Sequence, residues 1–157
     1  MKAMILLACM AWSWPALGQA EWATAVSKHP TANRAIVFRF VRTFPAGFSR
    51  ADQPDRIILT WRYRSETGMP SMVERQQMDK LEDLLLPIVN KERIATLVLV
   101  STGENLKEWT YYAKSESAFL SRLNEALKGD PRFPVEIHAA PDPAWTTYER
   151  FRQGMKE

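Results

Sequence analysis

The sequence predicts an α+β domain in which an antiparallel sheet carries two helices on one face. Three observations point there. Two segments, Arg34 to Thr43 and Arg56 to Arg64, alternate their residues with the two-residue period of half-buried strands. Two others, opening at Ser71 and near Ser115, place apolar residues at three- and four-residue spacing behind a capping serine. From Arg56 onward the order is strand, helix, strand, strand, helix, strand, which interleaves two βαβ units.

The elements follow in chain order from an export signal. Lys2 is the only charged residue among the first twenty, and Ala3 to Leu17 is almost wholly apolar. Gly18 and Ala20 put small side chains at −3 and −1 of a cut before Glu21, as signal peptidase requires. Pro15 ends the apolar helix and leaves an extended segment for the protease. Residues 1–20 are therefore expected to be a secretory signal peptide cleaved after Ala20, with a single mature domain over residues 21–157, periplasmic or secreted. The apolar run, interrupted by Ser13, Pro15 and Gly18, is shorter than the roughly 20 residues of a spanning helix. Leu6-Leu7-Ala8-Cys9 faintly resembles a lipoprotein box, but the residues before Cys9 are too few for a working apolar region.

Glu21 to Ser27 reads as a short strand, and Lys28 to Asn33 as a turn. Arg34 to Thr43 is the first strongly patterned strand, with Ile36, Phe38 and Phe40 on one face. Phe44 to Pro54 holds prolines and Gly47 and reads as a loop. In Arg56 to Arg64, Ile57, Leu59, Trp61 and Tyr63 share a face opposite mostly polar residues, which suits an antiparallel sheet with one wet side. Ser71-Met72-Val73-Glu74 is a capping box. The helix behind it carries Met78, Leu81, Leu85 and Ile88 to about Val89, with Pro87 weakening its last turn. Ile94 to Thr102 is a central strand, Gly103-Glu104-Asn105 a turn, and Lys107 to Ala113 an aromatic strand. Ser115 or Ser117 caps a second helix that Gly129 stops. Val135 to Ala139 is a last strand, and a short C-terminal helix starts with Asp142 as cap and Pro143 in its first turn. The fold expected is thus a ferredoxin-like split βαβ, with an N-terminal strand or hairpin extension and the short helix partly covering the helix-free face.

Composition narrows the function without naming it. The chain of 157 residues has a net charge of +3; without Lys2 its 21 basic residues become 20 against 18 acidic, or +2. No basic run forms a nucleic-acid or membrane patch, and no second apolar stretch would span a membrane after signal cleavage. Cys9, the one cysteine, leaves with the signal, so disulfide, thiol and thiolate-metal chemistry leave with it. No glycine-rich phosphate loop or Gly-x-Ser-x-Gly elbow suggests a cofactor or nucleophile, and no cofactor is expected.

Several short motifs in order carry a resemblance. They are Gly68-Met69-Pro70, Leu81-Glu82-Asp83, the Thr102-Gly103 turn, Lys107-Glu108-Trp109-Thr110-Tyr111-Tyr112, and Asp142-Pro143-Ala144-Trp145-Thr146-Thr147-Tyr148. From roughly Trp22 to Tyr148 the chain resembles the bacterial domain-of-unknown-function family 695. Lys107 stands where the family's aromatic strand is expected to carry arginine. The resemblance implies no activity. It extends distantly to a bacterial regulator that binds and inhibits an RNA-degrading endonuclease, which implies protein binding by analogy of fold; export argues against that cytosolic partner.

The candidate site residues are few. Trp145 and Tyr148, three residues apart on a helix, read first as core aromatics and second as a ligand platform. Trp109 and Tyr111 point to one face of their strand and Tyr112 to the other, so one set belongs to the core and the other offers a binding surface. His138 shares a strand face with Glu136, and with Asp142 these are the least implausible catalytic groups, although nothing completes a nucleophile–base–orienter set. His29 sits in a distant turn. Asp79, Glu82 and Asp83 read as a solvated helix face, and no metal site is expected. The leading expectation is a non-enzymatic module that binds another protein, its oligomeric state open. The alternatives are a periplasmic hydrolase-type enzyme around His138 and a structural envelope protein.

Overall fold

A computed structural model describes residues 18–28 and 34–155. The expected signal up to Leu17, with Cys9, and the expected turn holding His29 lie outside the described residues. Six strands and three helices follow in order: β1 (Glu21–Lys28), β2 (Ala35–Thr43), β3 (Asp55–Arg62), α1 (Met72–Leu86), β4 (Ala95–Gly103), β5 (Leu106–Ala113), α2 (Glu116–Ala126), β6 (Val135–Pro141) and α3 (Thr146–Gly154). The strands form one sheet in the order β1-β2-β4-β5-β3-β6, every neighbouring pair antiparallel. The fold is α+β, as the element pattern predicts.

Local chemistry accounts for the helices. Ser71 and Glu74 form the reciprocal capping box, with the Glu74 amide donating to the Ser71 hydroxyl at 3.2 Å and the Ser71 amide to the Glu74 carboxylate at 2.8 Å. Such a cap contributes about 1 kcal/mol. Met78, Leu81 and Leu85 form the buried stripe of α1. Pro87 has no N–H to continue the helical ladder, and Pro87–Lys91 widens into a π turn that keeps Ile88 in the core. Of the two serines expected to cap α2, it is Ser115 whose hydroxyl accepts the Ala118 amide, at 3.2 Å.

The sheet separates two apolar clusters. Ile57, Leu59 and Trp61 of β3, with Trp109 and Tyr111 of β5, pack beneath Met78, Leu81, Leu85, Phe119 and Leu123 of α1 and α2. On the opposite face Tyr112 and Val98 meet Trp145 and Tyr148, flanked by Phe44 and Phe48 of the loop before β3. Alternation along β4 puts Leu97 in the first cluster and Val98 in the second, and the register shift between Leu97 and Leu99 turns Leu99 to the second as well.

The C-terminal helix starts later than the sequence suggests. Asp142 caps it, accepting the Thr146 and Thr147 amides at 2.8 and 3.0 Å. Pro143 and Ala144, however, lie in a turn closed by the Trp145 amide on the Asp142 carbonyl at 2.9 Å. Trp145 takes the left-handed conformation, with φ 56 and ψ 35, and α3 begins at Thr146. An Asp-Pro pair fits a turn as readily as a helix start, and burial of the indole decides between them. At the far end of the same face Arg62, Glu136 and His138 stay exposed.

Candidate functional site

The five aromatic residues singled out for binding are all buried. Trp109, Tyr111, Tyr112, Trp145 and Tyr148 are each at most 2% exposed. Trp145 stacks on Tyr112, with ring centroids 4.0 Å apart and planes 9° apart, and its indole N–H donates to the Gln53 carbonyl at 2.9 Å. The platform they make already has an occupant. The Arg50 guanidinium lies 5.1 to 5.3 Å from the ring centres of Phe44, Trp145 and Tyr148 and pairs with Glu149. Cation–π contact and ion pairing together hold an arginine of the chain where a ligand cation would sit.

Of the candidate acid–base residues, His138 and Glu136 meet, while Asp142 stands apart from them. His138 and Glu136 share a face of the outer strand β6, 3.6 Å apart, and each side chain is 58% exposed. Asp142 follows the opposite end of that strand, and its carboxylate is consumed by structure. Beside the two amides it accepts the Tyr112 hydroxyl at 2.7 Å. Partial burial pushes its pKa up, but the hydrogen bonds from Thr147, Tyr112 and Thr146 outweigh this and lower it to about 2. The carboxylate is permanently ionised near neutral pH and has no proton to transfer. Among the described residues no three His, Cys, Asp or Glu side chains cluster as a metal site would need, and no helix is long and apolar enough to cross a membrane.

A cleft of about 230 Å³ opens elsewhere, where β1 and β2 extend past α1. Its floor is Leu85, Leu97 and Tyr111; Trp22 and Arg39 line it from the sheet, and Leu86, Val89 and Asn90 from the helix end and π turn. Trp22 and Leu86 remain 42% and 44% exposed. A polar network stiffens this wall. Glu82 accepts the Trp109 indole N–H at 3.0 Å and pairs with Arg39, whose guanidinium lies 5.3 Å from the centre of the Trp22 ring. Beyond Trp109, the Lys107 ammonium sits 4.9 Å over the indole and 4.0 Å from Asp79. Desolvation lowers the Lys107 pKa against the opposing pull of Glu82 and Asp79.

Two of the motifs that carry the family resemblance thus meet at this wall: Leu81-Glu82-Asp83 through Glu82, and the Lys107 to Tyr112 strand through Trp109 and Tyr111. Residues 20–152 match the family model of DUF695, described as a family of unknown function. The chain belongs to this family. No curated protein sequence matches it. The DUF695 domain therefore takes in every strand and nearly all of α3.

Glu82 is the residue that pattern reading placed wrongly, as part of a solvated face. Its side chain is only 17% exposed. The signal was present in the spacing: 78, 81, 82 and 85 fall on one helical face, so Glu82 occupies a position of the apolar stripe itself. Trp22 and Arg39 carried no comparable signal, because their meeting depends on the β1–β2 register that pairs Trp22 with Val41.

Proposed function

We propose that the DUF695 domain is an exported, non-enzymatic binding module that takes an apolar side chain of a partner protein's extended segment into the cleft beside α1. The observation that carries this reading is the pairing of exposed Trp22 and Leu86 around one cleft with a rigid, ion-paired wall. Large apolar residues clustered at a concave surface mark an interface more often than scattered ones do. The helix-free face is a weaker candidate, since α3 and the Phe44–Asp52 loop cover one end of it and the open end is polar.

The strand order supports a ferredoxin-like split βαβ core. Read from the β6 edge it runs β6-β3-β5-β4, with α1 and α2 crossing on one side, and β2 and β1 extend the sheet. That fold hosts many functions, so the distant likeness to an endonuclease regulator supports protein binding alone. Export is supported by the leader pattern and by a family match that begins only at residue 20.

The test is capture of partners with the secreted domain carrying a photo-crosslinker at Asn90, compared with the same protein bearing Leu86→Glu. A specific partner crosslinked from position 90 and lost on Leu86→Glu is the expected result. The same partner retained at equal yield would overturn the cleft as the site. Intact mass of the purified protein tests export separately: its chain should begin at Glu21, and Ala20→Leu should leave the leader attached.

A further inference from the structure

We propose that two copies of this chain pair antiparallel through β1 about a two-fold axis at Thr24, joining their six-stranded sheets into one. Among the described residues the sheet has two free edges, since β1 pairs with β2 alone and β6 with β3 alone. The edges are treated differently. Strand β6 follows Pro134 and ends on Pro141, both without an N–H to donate, and it exposes Glu136 beside the polar ring of His138. Those are the devices that keep an edge unpaired. Strand β1, Glu-Trp-Ala-Thr-Ala-Val-Ser-Lys, has no proline, its charged residues Glu21 and Lys28 stand only at its two ends, and its one irregularity is at Glu21. It exposes Trp22 at 42% and Val26 at 54% instead.

The pattern of β1 is complementary to itself. A two-fold axis relating antiparallel neighbours stands perpendicular to the sheet, so residues that meet across it must point to the same face. Trp22, Thr24 and Val26 share the face of Arg39 and the cleft. Centring the axis on Thr24 sets Trp22 against the partner's Val26, Thr24 against the partner's Thr24, and Ala23 against the partner's Ala25. An aromatic–β-branched pair occurs twice and a Thr–Thr pair lies at the centre, combinations that stabilise sheets by about 0.2–1 kcal/mol each. Glu21 and Lys28 stand at opposite ends of the strand, so each acidic end lies beside the partner's basic end. Pairing of one strand buries less than the roughly 1,200 Å² of a standard interface, so the dimer is a weak one.

The dimer shares the exposed Trp22 with the cleft reading, but Leu86→Glu leaves β1 untouched and Val26 does not line the cleft, so either reading can fail alone. Sedimentation velocity on the secreted protein, from about 5 to 500 µM as a weak interface requires, should show a monomer–dimer equilibrium. Val26→Lys should weaken it by about tenfold or more by setting a charge against Trp22, with the far-ultraviolet circular dichroism unchanged. Under mild oxidation Thr24→Cys should crosslink as a dimer and Ser27→Cys should not, since only position 24 meets itself. A monomer across the whole range, a dimer that Val26→Lys leaves intact, or crosslinking of Ser27→Cys in preference to Thr24→Cys would each overturn the proposal. Capture of β1 by a strand of a different protein, with no self-association, would do so as well.

Discussion

Asp142 accepts two backbone amides and a tyrosine hydroxyl with one carboxylate, and so ties α3 to β5. Its loss in Asp142→Ala should cost about 1–2 kcal/mol for the cap alone, read as a lower midpoint in urea unfolding. The pH dependence has a definite sign. A carboxyl depressed from 3.8 to about 2 by folding stabilises the native state above its unfolded pKa and loses that contribution as pH falls through 2. Wild-type stability should therefore decline between about pH 4 and pH 2, and Asp142→Asn should show a shallower decline over that window. Glu82 makes the opposite kind of case, an acceptor at a buried edge. Glu82→Ala leaves the Trp109 N–H and Arg39 without their partner, and an unsatisfied buried donor costs about 1–3 kcal/mol. Glu82→Gln, which keeps an acceptor for the indole, should recover part of that in the same assay.

At the scale of elements, what is legible in the sequence is what neighbours along the chain decide. The capping box at Ser71, the alternation of β3 and the Ser115 cap are contacts within a few residues, and each is realised. Pattern shows which residues of a strand share a face but not what covers that face. Tyr112 is buried because Trp145, from a separate helix start, lies flat against it. The same limit explains the start of α3, where burial of one indole outweighs the local signal of Asp142-Pro143. Gly103 shows how closely two elements can depend on a missing side chain. It ends β4 at φ 150, and a Cβ there would stand 2.2 Å from the Ala35 carbonyl oxygen of β2. Gly103→Ala should destabilise by about 2–3 kcal/mol by prising β2 from β4, and amide exchange in Ile36 to Phe40 should quicken more than in β3.

For the whole molecule, tryptophan reports exposure selectively. Of the six tryptophans Trp12 and Trp14 lie outside the described residues, and Trp61, Trp109 and Trp145 are at most 3% exposed, so in a chain starting at Glu21 Trp22 is the exposed one. Acrylamide should quench mainly that residue, and Trp22→Phe should remove most of the quenchable emission. The architecture was legible from element order; the cleft was not, because it arises where one sheet outgrows its helices. Tyr148 and Arg152 of α3 bond the Val41 carbonyl, 107 and 111 residues back along the chain. Strand β3, paired with β5 and β6, likewise waits for segments made long after it. Only the hairpins β1–β2 and β4–β5 close locally, so the sheet has high contact order and slow assembly. Under the export proposed above, that delay would keep the chain from locking into a translocation-blocking shape until its last helix has been made.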